Sequence, residues 1–199
     1  MRCSLRDKQA LIGKTPSEVL GASLGASYEK QDRAVLETGD PILNQLELHI
    51  YPNRSIGWCL TNKHAVRDDR NLITGLAGVS QDLRAPDRNH DDYAQLKTIT
   101  DYVDKHLGDP PDIKKLSAIV RLSPYQLDRR FRRVFGLSTG QWVLKQRLDL
   151  ARRQLLQSQA PIAEIALNAG YRDQSAFSRQ FMRATGLTPS AFRKARSND

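Results

Sequence analysis

Two clusters of polar side chains in the C-terminal half have the hydrogen-bonding types that read base edges. The first is Tyr125, Gln126, Asp128, Arg129 and Arg132; the second is Gln174, Ser175, Ser178 and Arg179. Arginine can form two parallel hydrogen bonds with guanine, glutamine does the same with adenine, and serine suits several bases. Asp128 fits such a surface only by accepting from a cytosine amine, because phosphates otherwise repel a carboxylate. Arg130, Arg133 and Arg183 lie beside these positions and suit phosphate contacts, which position a protein without reading sequence.

Base reading needs these side chains on one side of a rigid element, and helical phase puts them there. Leu127, Phe131, Val134 and Phe135 recur at i, i+4, i+7 and i+8, an inward stripe. Arg129 then lies about 200° round from Leu127, toward solvent. Ser123 is a good N-cap, Pro124 takes the favoured first helical position, and Gly136 suits the C-terminal end. Upstream, Ile113, Leu116, Ile119 and Val120 form a second apolar stripe over residues 112–121.

The whole pattern recurs 50 residues later. Ser123 aligns with Asp173, Leu127 with Phe177, Arg129 with Arg179, Phe131 with Phe181, Gly136 with Gly186 and Trp142 with Phe192. Leu116 and Ser117 match Ile165 and Ala166 at an offset of 49, so the second copy has one extra residue in its turn. Each copy reads as a short helix, a turn and a longer helix, the grammar of a helix-turn-helix whose second helix enters the major groove. Leu127, Phe131, Trp142, Phe177 and Phe181 are core positions, and Tyr171 packs in the second turn. Residues 138–158 between the copies read as one helix of about 30 Å. That is close to one turn of B-DNA, so the connector can set two reading helices into successive grooves.

Charge agrees. The 199 residues carry 31 Lys+Arg and 22 Asp+Glu, a formal charge of +9. Residues 1–91 hold 12 of each sign, so the entire excess lies in residues 92–199 and predicts a polyanionic partner. No run of eighteen apolar residues and no leader-like start appear, and Cys3 and Cys59 exclude a disulfide framework or a cysteine-built metal site. No Ser/His/Asp set, metal-ligand spacing or phosphate-cradling glycine loop points to an enzyme. The rival reading is a basic helical interaction module without sequence-specific DNA binding.

Residues 93–197 resemble the AraC/XylS-type DNA-binding domain. The resemblance rests on IAEIALNAGYRDQSAFSRQF at 162–181 and GLTPSAFR at 186–193. It implies seven helices carrying two helix-turn-helix units, and a transcription regulator, usually an activator. By the same resemblance, base contacts fall on Tyr125, Asp128 and Arg129, and on Gln174, Ser175, Ser178 and Arg179.

The N-terminal half reads as α+β. Residues 8–24 suggest short helices and turns, and residues 29–37 a helix ended by Gly39. Residues 42–51 alternate Leu46, Leu48 and Ile50 with Glu47, His49 and Tyr51, a half-buried strand with its leucines inward. Residues 52–57 form a turn, and residues 58–63 and 72–82 two further strands. With LIGK at 11–14, WCL at 58–60 and RDDRNLITGLAGVSQD at 67–82, residues 1–84 resemble a PAS domain from its central helices onward, which implies a sensing or dimerising module. The first two strands of that family are absent ahead of residue 1. Either the true start lies upstream, or the module is a remnant with an exposed sheet edge. His49 and His64 read as structural or surface residues, Cys59 as a strand residue, and no effector or cofactor is legible.

The expectation is therefore a multi-domain chain. An incomplete PAS-like antiparallel module at 1–84 and a linker at 85–92 precede an all-α double helix-turn-helix at 93–197. Its expected partner is double-stranded DNA, with RNA polymerase and a second copy of the chain as further candidates. The expected location is the cytoplasm, with no membrane contact.

Overall fold

The computed structural model describes residues 8–50, 56–83, 85–86 and 90–197. Cys3, most of the turn expected at 52–57 and part of the expected linker lie outside them. Two compact units divide the chain: Met1–Asp82 with Phe181–Thr188, and Leu83–Gln180 with Pro189–Asp199. No helix among the described residues is long and apolar enough to cross a membrane.

In the N-terminal region, a short 3-10 turn at Lys8–Leu11 leads to α1 (Pro16–Leu20). Thr15 caps α1 by accepting from the Glu18 amide, and the Glu18 carboxylate accepts from the Thr15 amide in return. The helix α2 spans Ala22–Thr38, well beyond the expected 29–37. Gly25, a poor helix former, hides its first turns in the sequence. The glycine is there for packing: a Cβ on it would sit 2.2 Å from the Ser17 Cα of α1. Gly39, at φ 76°, ends α2 in the left-handed region.

Three antiparallel strands follow among the described residues, in the order β1 (Ile42–Ile50), β2 (Ile56–Arg67) and β3 (Ile73–Asp82). Among the described residues β3 pairs only with β2, and Val79 on it is exposed. The register sets Glu47 opposite Cys59, and Thr61 opposite Ser80. One face thus carries Gln45, Glu47, His49, Thr61 and Lys63; the other carries Leu46, Leu48 and Trp58.

The half-buried strand expected here is corrected. Glu47 (3% exposed) and His49 (5%) are as buried as Leu46 (6%) and Leu48 (3%). A carboxylate tolerates burial when donors surround it, and Glu47 accepts from Gln31 Nε2 at 2.9 Å, Gln45 Nε2 at 2.7 Å and Thr61 Oγ1 at 2.6 Å. Gln31 belongs to α2, and so does Asp32, which pairs with Lys63 at 2.5 Å. The polar face therefore lies under α2.

Among the described residues the C-terminal region holds seven helices: α3 (Tyr93–Lys105), α4 (Ile113–Ile119), α5 (Pro124–Phe135), α6 (Thr139–Gln157), α7 (Ile162–Asn168), α8 (Gln174–Thr185) and α9 (Pro189–Ser197). Ser123 and Ser138 start α5 and α6 with reciprocal capping boxes, closed by Gln126 and Gln141. Each cap is worth roughly 1 kcal/mol. Leu116, Leu127 and Phe131 are fully buried, and the Phe131 ring lies 5.5 Å from that of Trp142. Phe177 and Phe181 are equally buried. The expected core positions Leu127, Phe131, Trp142, Phe177 and Phe181 are all buried, whereas Ile113 and Ile119 of the expected apolar stripe are exposed.

Candidate nucleic-acid interface

The repeat seen in the sequence is a repeat of backbone geometry. Arg121, at φ 54°, and Gly170, at φ 77°, take the left-handed conformation at equivalent points of the two turns. The Leu122 amide then donates to the Ser117 carbonyl at 3.0 Å, and the Tyr171 amide to the Ala166 carbonyl at 2.9 Å. The extra residue of the second turn, Arg172, comes just before Asp173, whose carboxylate accepts from the Ala176 amide at 2.7 Å and caps α8.

In α5 and α8 the expected outward arcs are solvent-facing. Tyr125 is 74% exposed. Gln126, Arg129, Arg132, Arg133, Gln174, Ser175, Arg179 and Arg183 are also exposed, and Ser178 is half-buried. Arg129, Arg133 and Arg179 have no hydrogen-bond or ion-pair partner among the described residues. The arcs thus present free guanidinium groups at the same position of both copies.

Other expected site residues are already engaged. The Gln126 Oε1 accepts from the Ser123 amide at 2.9 Å, leaving its amide nitrogen to donate outward. Asp128 uses both oxygens: one accepts from the Thr139 amide at 2.8 Å, the other from Arg132 Nε at 3.0 Å. That carboxylate ties α5 to the first turn of α6. The repeat explains why it is needed only once. At an offset of 50, Thr139 aligns with Pro189, which has no N–H to satisfy, and Asp128 aligns with Ser178. Arg130 faces α3 rather than solvent, pairing with Asp92 at 3.2 Å and donating to Gln95 Oε1.

Two residues that sequence reasoning missed hold the turns from outside. Gln95 on α3 donates to the Val120 carbonyl at 3.2 Å. Arg147 on α6 donates to the Ala169 and Gly170 carbonyls, both at 2.7 Å, and its guanidinium lies 4.0 Å from the centre of the Tyr171 ring. Val120 and Ala169 are equivalent at an offset of 49, so one and the same carbonyl of the motif is captured in each copy. Burial lowers the Arg147 pKa from its ordinary value and raises that of the Tyr171 hydroxyl. The charge of each works against the shift of the other.

Two matched units of short helix, turn and exposed helix, joined by one long helix, make the architecture of a double helix-turn-helix DNA-binding domain. The helix-turn-helix domain family matches residues 116–195, and the PAS fold family matches residues 1–88. The arabinose operon regulatory protein of Escherichia coli K12 is 33% identical over 123 residues, 61% of this chain and 40% of its own length. The regulatory protein SoxS of Salmonella typhimurium LT2 is 34% identical over 98 residues, 49% of this chain and 92% of its own. Among solved structures, the DNA-binding domain of the global transcriptional factor AdpA, in complex with a target DNA, is similar. It is 32% identical, with a TM-score of 0.50, over 52% of this chain and 94% of that one. The chain belongs to the AraC family of transcription regulators, with a PAS-fold region ahead of its helix-turn-helix units.

Proposed function

We propose that the chain is a sequence-specific transcription regulator that sets α5 and α8 into successive major grooves, most simply as an activator. The observation that carries this reading is the pair Arg129 and Arg179, exposed, without a partner among the described residues and equivalent in the two copies. In this reading Tyr125, Gln126 and Arg129 face bases in the first groove. Gln174, Ser175, Ser178 and Arg179 face them in the second. Arg133 and Arg183 meet phosphates. Asp128 and Arg130 brace α5, and Arg132 works through Asp128. The reading assigns no catalytic residue, no metal and no cofactor to the helical region. RNA polymerase and a second copy of the chain are its further partners, the cytoplasm its location, and the N-terminal region modulates the response.

The test is competition binding of the full chain to short duplexes at several salt concentrations. With six to eight phosphate contacts, log K should fall against log salt with a slope of about −5 to −7. Selected duplexes should outcompete unrelated DNA at least tenfold. A steep salt response without any preference supports the rival basic interaction module and overturns the reading.

A further inference from the structure

The N-terminal region has an open pocket of about 370 Å³ between the polar face of its sheet and the first helices. That volume falls at the small end of ligand pockets, which run from about 300 to 1,000 Å³. Its two walls differ in chemistry. Leu11, Val19 and Leu20 make one side apolar. The sheet side carries His49 and Lys63, with Asp32 of α2 beside them.

Lys63 is the unusual residue. It is 7% exposed, its ammonium pairs with Asp32 at 2.5 Å, and it lies 5.4 Å from the centre of the Tyr28 ring. An ammonium has three N–H groups, and Asp32 accounts for one. A largely buried lysine held by a half-buried carboxylate is a poor way to stabilise a sheet face, which apolar residues of the same volume would serve as well or better. Three other polar groups on this face, Glu47, Thr61 and Ser80, bond to one another. Thr61 donates to Glu47, so Ser80, 2.9 Å from the Thr61 oxygen, donates to Thr61 in turn. Glu47 takes two further donors and does not line the pocket. Lys14 also lines it but is half exposed and pairs with Glu18 at 3.3 Å, so Lys63 is the cation the pocket offers to a ligand.

From this the geometry points to a small amphipathic carboxylate as the ligand of the pocket. Its carboxylate is received by Lys63, and its apolar body lies on Leu11, Val19 and Leu20. The inference deepens the reading that the N-terminal region modulates the regulator, since it names the chemistry of the signal.

The experiment uses the full chain, with hexanoate and phenylacetate as probes and hexanamide and hexylamine as controls. Melting temperature and calorimetric titration are the readouts. The carboxylates should raise the melting temperature and the amide and amine should not. Lys63→Met should weaken carboxylate binding at least tenfold, and Lys63→Arg should restore most of it. If Lys63→Met unfolds the sheet, Val19→Trp, which fills the apolar side without touching the charges, should block binding instead. Equal response to amide, amine and carboxylate overturns the proposal. So does retained binding in a folded Lys63→Met variant, or no response to either carboxylate. Duplex binding of the same preparations separates the two readings. Carboxylate binding without any effect on DNA affinity leaves the pocket standing and removes its regulatory role. Intact DNA selectivity without carboxylate binding removes the pocket proposal alone.

Discussion

Replacing Arg147 by Met keeps the aliphatic stem that packs along α6 and deletes the guanidinium. The second helix-turn-helix then loses two hydrogen bonds of 2.7 Å to the Ala169 and Gly170 carbonyls and a cation–π contact at 4.0 Å. Hydrogen bonds to a charged group contribute about 1.5–3 kcal/mol each, and a partly buried cation–π contact about 1 kcal/mol. Removing a buried charge returns part of that, since burial works against the guanidinium. The net cost is about 2–4 kcal/mol, and it is local. Native-state hydrogen exchange of the full chain is the assay, because it reads opening free energies segment by segment. The Gly170 and Tyr171 amides, which bond to the Leu167 and Ala166 carbonyls, should lose protection by about 30- to 1,000-fold, given tenfold per 1.4 kcal/mol. The Leu122 amide of the first turn, whose neighbouring Val120 carbonyl is held by Gln95, should change by less than threefold. Equal loss in both turns, or a loss below about threefold in the second, refutes the claim that Arg147 holds that turn.

The remaining predictions concern single residues of the two units. Gly170→Ala should cost about 2–4 kcal/mol in thermal unfolding, because its Cβ would meet the Leu107 carbonyl oxygen at 2.4 Å and Pro110 Cδ at 2.7 Å; Arg121→Gly at the equivalent position should stabilise by about 1 kcal/mol. Tyr171→Phe removes a buried hydroxyl that has no partner among the described residues, so stability should hold or rise by about 1 kcal/mol, and a loss above that amount argues against the packing described. Asp128→Ala should destabilise by about 1–2 kcal/mol by freeing the Thr139 amide and Arg132, with base preference at the best duplex unchanged; a changed preference would restore Asp128 as a reader. Arg179→Ala should erase about 1–3 kcal/mol of discrimination at one base pair, whereas Arg133→Ala should weaken all duplexes alike, and full discrimination retained by Arg179→Ala contradicts the assignment.

The helical region was legible because its determinants are local. Ser123, Pro124 and Gly136 mark α5, and the offset change from 49 to 50 puts one extra residue in the second turn, which the structure shows to be Arg172. The braces were not legible. Gln95 reaches a carbonyl 25 residues away and Arg147 carbonyls 22 and 23 residues away, and nothing in their neighbours announces those partners. One signal was present and unused: Thr139 against Pro189 at the repeat offset shows that only the first copy needs an acceptor at Asp128. The sheet misled for a physical reason. Alternation along residues 42–51 was read as leucines inward and polar residues outward, yet Gln31 and Asp32 of α2 supply the partners that let Glu47 and Lys63 be buried. A strand polar on one side was covered by a helix that is polar too.

The central claim is that two readers, α5 and α8, act on one duplex. Selection of duplexes from a random pool by the full chain tests it most directly, sequenced after several rounds against competitor DNA. The account predicts an enriched site of two elements whose centres lie about 10–10.5 base pairs apart, one helical turn. Arg129→Ala should blur only one element and Arg179→Ala only the other. A pool that stays random after selection, or a single element that responds to both substitutions, would contradict it.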